Sequence, residues 1–135
     1  MASRRKKVVE NFYKSDVYSN PELLAEYLHP DAVLYWNSSS GFHKLTYDGI
    51  FNMLKEISKS FYSLRAEISH LIRKKDMVTI RFTYFVKTIE NPREEMAMAH
   101  FIAIWEIKDD KMYKGYQMSQ PADDSPENLS SFLSI

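Results

Sequence analysis

Between Met77 and Ile89 the chain alternates: Val78, Ile80, Phe82, Tyr84 and Val86 interleave with Thr79, Arg81, Thr83 and Lys87. A period of two places successive side chains on opposite faces of an extended strand, so this segment is a half-buried β-strand. It is one of four such runs, at 62–73, 77–89, 95–108 and 111–120. Their connections are Lys74-Lys75-Asp76, the five residues from Glu90 to Glu94, and Asp109-Asp110, short and polar, which favours antiparallel hairpins over crossovers. Upstream the period changes. Val8, Val9, Phe12 and Tyr13 fall at helical spacing in a predicted helix from about Arg4 to Tyr18. Asn20-Pro21, a cap residue before a proline, predicts a short second helix over 21–28, stopped by His29-Pro30. Asp31 to Asn37 reads as a first strand and Ser38 to Gly41 as a loop. Thr46 caps a third helix, roughly 47–60, with Ile50, Phe51, Leu54, Ile57 and Phe61 as its apolar stripe. The expected fold class is therefore α+β: a cone-shaped, curved antiparallel sheet wrapped over three N-terminal helices.

Parity assigns the faces. Tyr62, Leu64, Ala66, Ile68, His70 and Ile72 share the core side of the 62–73 strand. The 95–108 strand is apolar on both sides, with Phe101, Ala103, Trp105 and Ile107 opposite Met96, Met98, Ile102 and Ile104. Helices cover one side of the sheet. A second copy of the chain covering the other predicts a homodimer through the outer sheet face.

The 135 residues suit one domain, 1–121, followed by a loosely held tail, 122–135, rich in Ser, Asp and Pro. Eighteen basic residues balance eighteen acidic ones, which argues against nucleic acid as a partner. The basic runs Arg4–Lys7 and Arg73–Lys75 read as a solvated helix end and a hairpin turn. The absence of cysteine removes disulfides, thiolate metal sites and thiol chemistry. Val8-Val9 are followed at once by Glu10 and Asn11, so no signal-peptide core forms there, and no stretch reaches membrane-spanning length. The expectation is a soluble, cytoplasmic protein with no membrane partner. His29, His43, His70 and His100 show no metal-binding spacing, and Gly-rich phosphate loops and nucleophile elbows are missing, so neither metal nor cofactor is expected.

The order helix, helix, strand, helix, four strands resembles the nuclear transport factor 2-like superfamily, and within it the SnoaL-like, polyketide-cyclase-like group. The resemblance runs from about Val8 to Gln120. It is carried by Pro21-Glu22-Leu23-Leu24 through Asp31-Ala32-Val33, by Gly49 in the third helix, and by the closing hairpin Trp105-Glu106-Ile107-Lys108-Asp109-Asp110-Lys111. The superfamily holds ketosteroid isomerases, dehydratases, epoxide hydrolases, cyclases and non-catalytic proteins, so fold alone does not select an activity. Gap-free placement on Asp31-Ala32 puts Phe12, Trp36 and Ala103 where ketosteroid isomerases carry their tyrosine and two aspartates. None of the three shuttles a proton, which argues against that reaction.

The same placement turns Trp36, Gly115, Gln117 and Ser119 toward the cavity, and parity adds Tyr62, His70 and Tyr84. His43 lies in the loop before the third helix, near the expected mouth. The resulting pocket is aromatic with a few polar groups and suits a small apolar or aromatic molecule. His70 is the best candidate for a general base, with His43 second; Tyr62, Tyr84 or Gln117 would serve as acid or oxyanion donor. Each has a structural alternative: His70 as a core histidine, His43 as a loop residue, the phenols and Trp36 as filling. His100 reads as an interface residue and His29 as a helix-end residue. Two function classes follow, a cofactor-independent isomerase, cyclase or dehydratase, and a non-catalytic ligand-binding or protein-interaction domain.

Overall fold

The computed structural model describes residues 3–123 and 125–132. Helix α1 (Ser3–Lys14) turns Val9, Phe12 and Tyr13 inward, the i, i+3, i+4 set of one helical face. A 3-10 turn at Pro21–Leu23 runs into the single-turn α2 (Leu24–Tyr27), whose Leu24 is fully buried. Pro21 opens the turn as expected. The Asn20 side chain makes no cap; its backbone carbonyl accepts the Leu23 N–H instead. Strand β1 (Leu28–Ser38) begins before His29-Pro30, three residues earlier than its apolar pattern suggests. Helix α3 (Tyr47–Ser60) is capped by the Thr46 hydroxyl, which accepts the Gly49 N–H, and it buries Ile50 and Leu54.

Strands β3 (Phe61–Lys74), β4 (Met77–Thr88), β5 (Met96–Lys108) and β6 (Lys111–Pro121) lie within about a residue of their expected bounds. The β5–β6 hairpin turns on Asp109 and Asp110, both with positive φ, the conformation of a two-residue turn matched to strand twist. One strand escapes the sequence reading. β2 (Gly41–Thr46) follows β1 through a tight turn where a loop is expected. Gly41, Phe42, His43 and Lys44 are all exposed, so β2 carries no alternation; only backbone pairing with β1 makes it a strand.

The six strands form one sheet in the order β2-β1-β6-β5-β4-β3. All neighbours are antiparallel except β1 and β6, which run parallel, so the sheet is mixed rather than wholly antiparallel. α1 packs on β3 and β4 and α3 on β1 and β2, so two helices hold opposite ends of the inner face. Of the three helices, α1 and α2 precede the sheet and α3 follows its first hairpin. The core between these layers includes Phe82 and Phe101, stacked 5.0 Å apart with nearly parallel rings.

Bulges bend the sheet and reset its parity. Register shifts between Phe61 and Ser63 and between Ile68 and His70 leave Tyr62 and Ser69 unpaired. Beyond Ser69 the faces exchange: Leu71 joins the core while His70 and Ile72 are exposed. A third shift, opposite Tyr84 and Phe85, leaves Met98 between paired Ala97 and Ala99.

After Pro121 the chain forms a further element, α4 (Pro126–Ser131), capped by the Ser125 hydroxyl, which accepts the Asn128 N–H. It lies on the outer face. His100 Nε2 and Asn128 Oδ1 are 2.8 Å apart, Arg81 donates to the Ser131 carbonyl at 2.8 Å, and Phe132 stacks on His100 under the Arg81 guanidinium. His100 is thus covered by its own chain. Among the described residues no helix is long and apolar enough to cross a membrane.

Candidate functional site

Sheet curvature and the two inner helices leave a cavity of about 100 Å³. The apolar stripe of α3 supplies one wall with Ile50, Leu54 and Ile57, as its spacing requires. Trp36 of β1 and Phe101 of β5 close another, their rings 6.2 Å apart. The bulge on β5 adds Met98, and α3 adds Met53.

Three polar side chains enter this apolar lining. Tyr13, on the buried face of α1, accepts a hydrogen bond from Trp105 Nε1 at 2.9 Å. Burial pushes the Tyr13 phenol far above its ordinary range, with the Trp105 bond opposing. Its ring lies 6.4 Å from that of Tyr84 on β4. The Tyr84 phenol is also held well above its usual value, first by burial and then by the nearby Tyr13. Both therefore stay protonated at neutral pH. Gln117, on β6, is only 8% exposed. Among the described residues neither the Gln117 amide nor the Tyr84 hydroxyl is hydrogen-bonded, and no fully buried side-chain polar atom is left without a partner, so the polar atoms of both retain some accessible surface. Both keep free hydrogen-bonding capacity beside the cavity. None of the lining residues is a carboxylate, histidine, lysine or arginine.

The sequence expectations divide accordingly. Trp36, Tyr84 and Gln117 meet at the cavity. Ser119 stands just behind, accepting the Trp36 Nε1–H at 2.9 Å. His43 is exposed on β2, 6.2 Å from the Trp36 ring and 3.3 Å from the Ser40 hydroxyl, outside the lining. Tyr62 is 64% exposed, and His70 points outward beside the Ser69 hydroxyl. The inward placement of these two fails because two single-residue bulges interrupt β3. His29 is buried within β1, its Nδ1 accepting the Asp31 N–H. Tyr13 is the wall residue sequence reasoning missed as a site group; its spacing with Val9 was visible, but aromatic helix residues usually just fill cores. Of the positions set by the gap-free placement, Phe12 and Trp36 line the cavity, whereas Ala103 is buried outside the lining and Gly115 packs against Trp105 and Leu34 instead.

A wider groove of about 650 Å³ occupies the opposite face. Tyr35 and Tyr116 stack in its floor, and His100, Asn128 and Phe132 form one side. Among the described residues no group of three or more His, Asp or Glu is placed to hold a metal ion.

A curved mixed sheet closed by two helices around an apolar cavity with a few polar groups defines a cone-type pocket domain. Residues 9–114 match the SnoaL-like domain, and the chain belongs to that family, within the nuclear transport factor 2-like superfamily. Among solved structures it is similar to IdmH, a candidate polyketide cyclase from Streptomyces antibioticus, at 14% identity and TM-score 0.67, over 93% of this chain and 96% of that one. A candidate polyketide cyclase from Acidithiobacillus ferrooxidans gives 14% identity and TM-score 0.69, over 98% and 96% of the two chains. AclR, a candidate hydroxylase from Streptomyces galilaeus, gives 14% and 0.68, over 97% and 85%. No protein in the curated set matches the sequence. At such identities the likeness concerns the fold.

Proposed function

We propose that this protein binds a small, largely apolar molecule in the inner cavity, and that binding rather than proton transfer is its task there. The observation that carries this reading is Gln117, an amide 8% exposed and not hydrogen-bonded among the described residues, set with the Tyr13 and Tyr84 phenols in a wall that is otherwise apolar. Isomerase, cyclase or dehydratase chemistry of the proton-shuttling kind calls for a base within reach of substrate. His70 and His43, the candidates for that part, lie outside the cavity lining.

Methionine methyl groups offer a local test. Met53 and Met98 line the cavity, while Met118 lines the outer groove. With ¹³C-methyl-methionine protein, titration with single-ring aromatic compounds should shift the Met53 and Met98 signals and leave Met118 in place. Shifts confined to Met118, or none for any compound, would overturn the proposal.

We also propose a homodimer through the outer sheet face. Its support is the exposed set Ile102, Tyr116 and Met118, brought together by the pairing of Ile102 with Met118 and of Ile104 with Tyr116. Light scattering should give twice the chain mass, and Met118→Lys should lower it to one chain. A monomeric wild type at high micromolar concentration would refute this.

A further inference from the structure

We propose that the hairpin end of the molecule is a docking surface for an acidic segment of another protein, one that carries apolar residues among its carboxylates.

The two basic runs of the sequence, Arg4–Lys7 and Arg73–Lys75, meet at this end. Helix α1 starts across the tips of both hairpins. Arg4 Nη1 lies 3.3 Å from Asp110 Oδ2 in the β5–β6 turn, and Arg5 Nη1 donates to the Lys75 carbonyl in the β3–β4 turn at 3.4 Å. Arg73 donates to the same carbonyl. The two turns are themselves joined, since the Asp76 carbonyl accepts the Ile107 N–H at 2.7 Å. None of the cations in the two runs lines the inner cavity or the outer groove.

Their charge is left open. Among the described residues, Arg4 alone of the two runs has a carboxylate within ion-pair distance. That pair is weak, because its side chains are 74% and 59% exposed. Asp76 is the acidic residue of the β3–β4 turn, and Lys108 and Lys111 offset Asp109 and Asp110 in the other. Local structure does not ask for these cations. A helix start carries the positive end of the peptide dipoles and favours acidic side chains, yet the first turn of α1 has none. Lys75 has φ +56°, a conformation that Gly or Asn adopts at lower cost. Gathered like charges also repel, and a partner of opposite charge reverses that repulsion.

The kind of partner follows from charge and shape. The chain as a whole is neutral, and screening confines the field of the patch to about 8 Å. That suits a short acidic segment seated on the tips rather than a duplex or a bilayer, whose capture draws on a wider surplus of positive charge. Apolar side chains stand among the cations: Met77, paired with Lys74, is 40% exposed, and Ile72, two residues before Lys74 on the same strand, is 58% exposed. They call for apolar residues in the partner. Four strands about 4.8 Å apart make this end roughly 15 Å across, the length of about ten helical residues.

The test is fluorescence anisotropy of the full chain with a labelled peptide of about ten glutamate and leucine residues. It should bind at low salt and weaken as salt is added. Lys74→Gln/Lys75→Asn should weaken binding roughly fivefold without lowering Tm, since Asn suits the turn. Lys55→Gln/Lys59→Gln removes the same charge from α3, whose end leads into the far end of β3, and should leave affinity unchanged. Serine in place of leucine in the peptide should weaken binding in the wild type. Absence of peptide binding at low salt, or equal losses in the two double variants, would overturn the proposal. Capture by phosphatidylserine vesicles or by a DNA duplex, with none of the peptide, would overturn it in favour of that partner.

Discussion

Gly115 of β6 lies directly against the Trp105 indole. A Cβ built there would stand 2.7 Å from both Cζ3 and Cη2 of Trp105 and 2.8 Å from Cδ1 of Leu34. Ordinary carbon contacts are about 3.5–4.0 Å, so Gly115→Ala drives a methyl group deep into repulsion on two sides. Neither neighbour yields readily. Trp105 is 2% exposed and pinned through Nε1 to Tyr13, and Leu34 is 4% exposed. The backbone at Gly115 is not left-handed, so space alone forbids the side chain. Overpacking of this kind costs about 3 kcal/mol. Alanine returns about 0.4–1 kcal/mol by restricting the unfolded chain. The net loss is therefore about 2 kcal/mol, a fall of roughly 6 °C in Tm for a domain of this size. Differential scanning calorimetry, with urea unfolding at unchanged m-value, measures it. Leu34→Ala in the same chain removes one of the two clashes, so the double variant should be about 1 kcal/mol more stable than the sum of the single effects. A Gly115→Ala protein that melts within about 2 °C of wild type would refute the reasoning, since Trp105 would then be free to move and the cavity wall would not be rigid.

Gln117→Leu should raise stability by about 1 kcal/mol in the ligand-free protein, because it removes an unpartnered amide at similar volume; urea unfolding checks this, and a loss of that size would mean the amide is satisfied. Phe132→Ala should cost about 1 kcal/mol by removing its stack on His100 and its contact with Arg81, and an unchanged urea midpoint would show that the C-terminal segment adds nothing to the fold. Above pH 10 the unfolded chain releases a phenolic proton that native Tyr84 retains, so this group's contribution is present below pH 10 and is lost as the pH rises. Tyr84→Phe should therefore reduce the loss of stability between pH 10 and 11 by about 1 kcal/mol, and parallel declines in both proteins would contradict the assigned burial of the phenol.

Much of this architecture was legible because the cues were local. Thr46 three residues before Gly49 marks a helix start, and Asp109-Asp110 between two alternating runs marks a hairpin; both hold in the structure. What escaped was set by pairing rather than by composition. β2 is an exposed edge whose residues carry no face preference. The parallel neighbouring of β1 and β6 joins segments far apart in the chain. The costliest miss was Ser69. One unpaired residue exchanges every later side chain between faces, so His70 and Ile72, expected inward, are exposed, and Leu71 takes the core side, in a strand otherwise bounded correctly. Ile68-Ser69-His70 gives no warning, since neither glycine nor proline stands there. Gln117 and Tyr84 face inward as read for the converse reason: Gln117 stands in an unbroken paired run after the irregularity at Tyr113, and β4, which carries Tyr84, has no extra residue of its own, the nearby bulge being Met98 of β5.

The same contrast bears on function. A protein selected only for stability would fill a fully covered strand position with Leu or Met, and β6 offers that choice at Gln117. Tyr13 and Tyr84 repeat the pattern, since phenylalanine would fill the same space without an oxygen to desolvate. Tyr13 has a structural reason for its oxygen, which receives the Trp105 N–H. Tyr84 and Gln117 have none among the described residues, yet both line the inner cavity, Gln117 bordering the outer groove as well. Two unpartnered polar groups scattered through a core would be defects. Converging on one cavity, they are the arrangement expected where a ligand completes the hydrogen bonding that the protein leaves open.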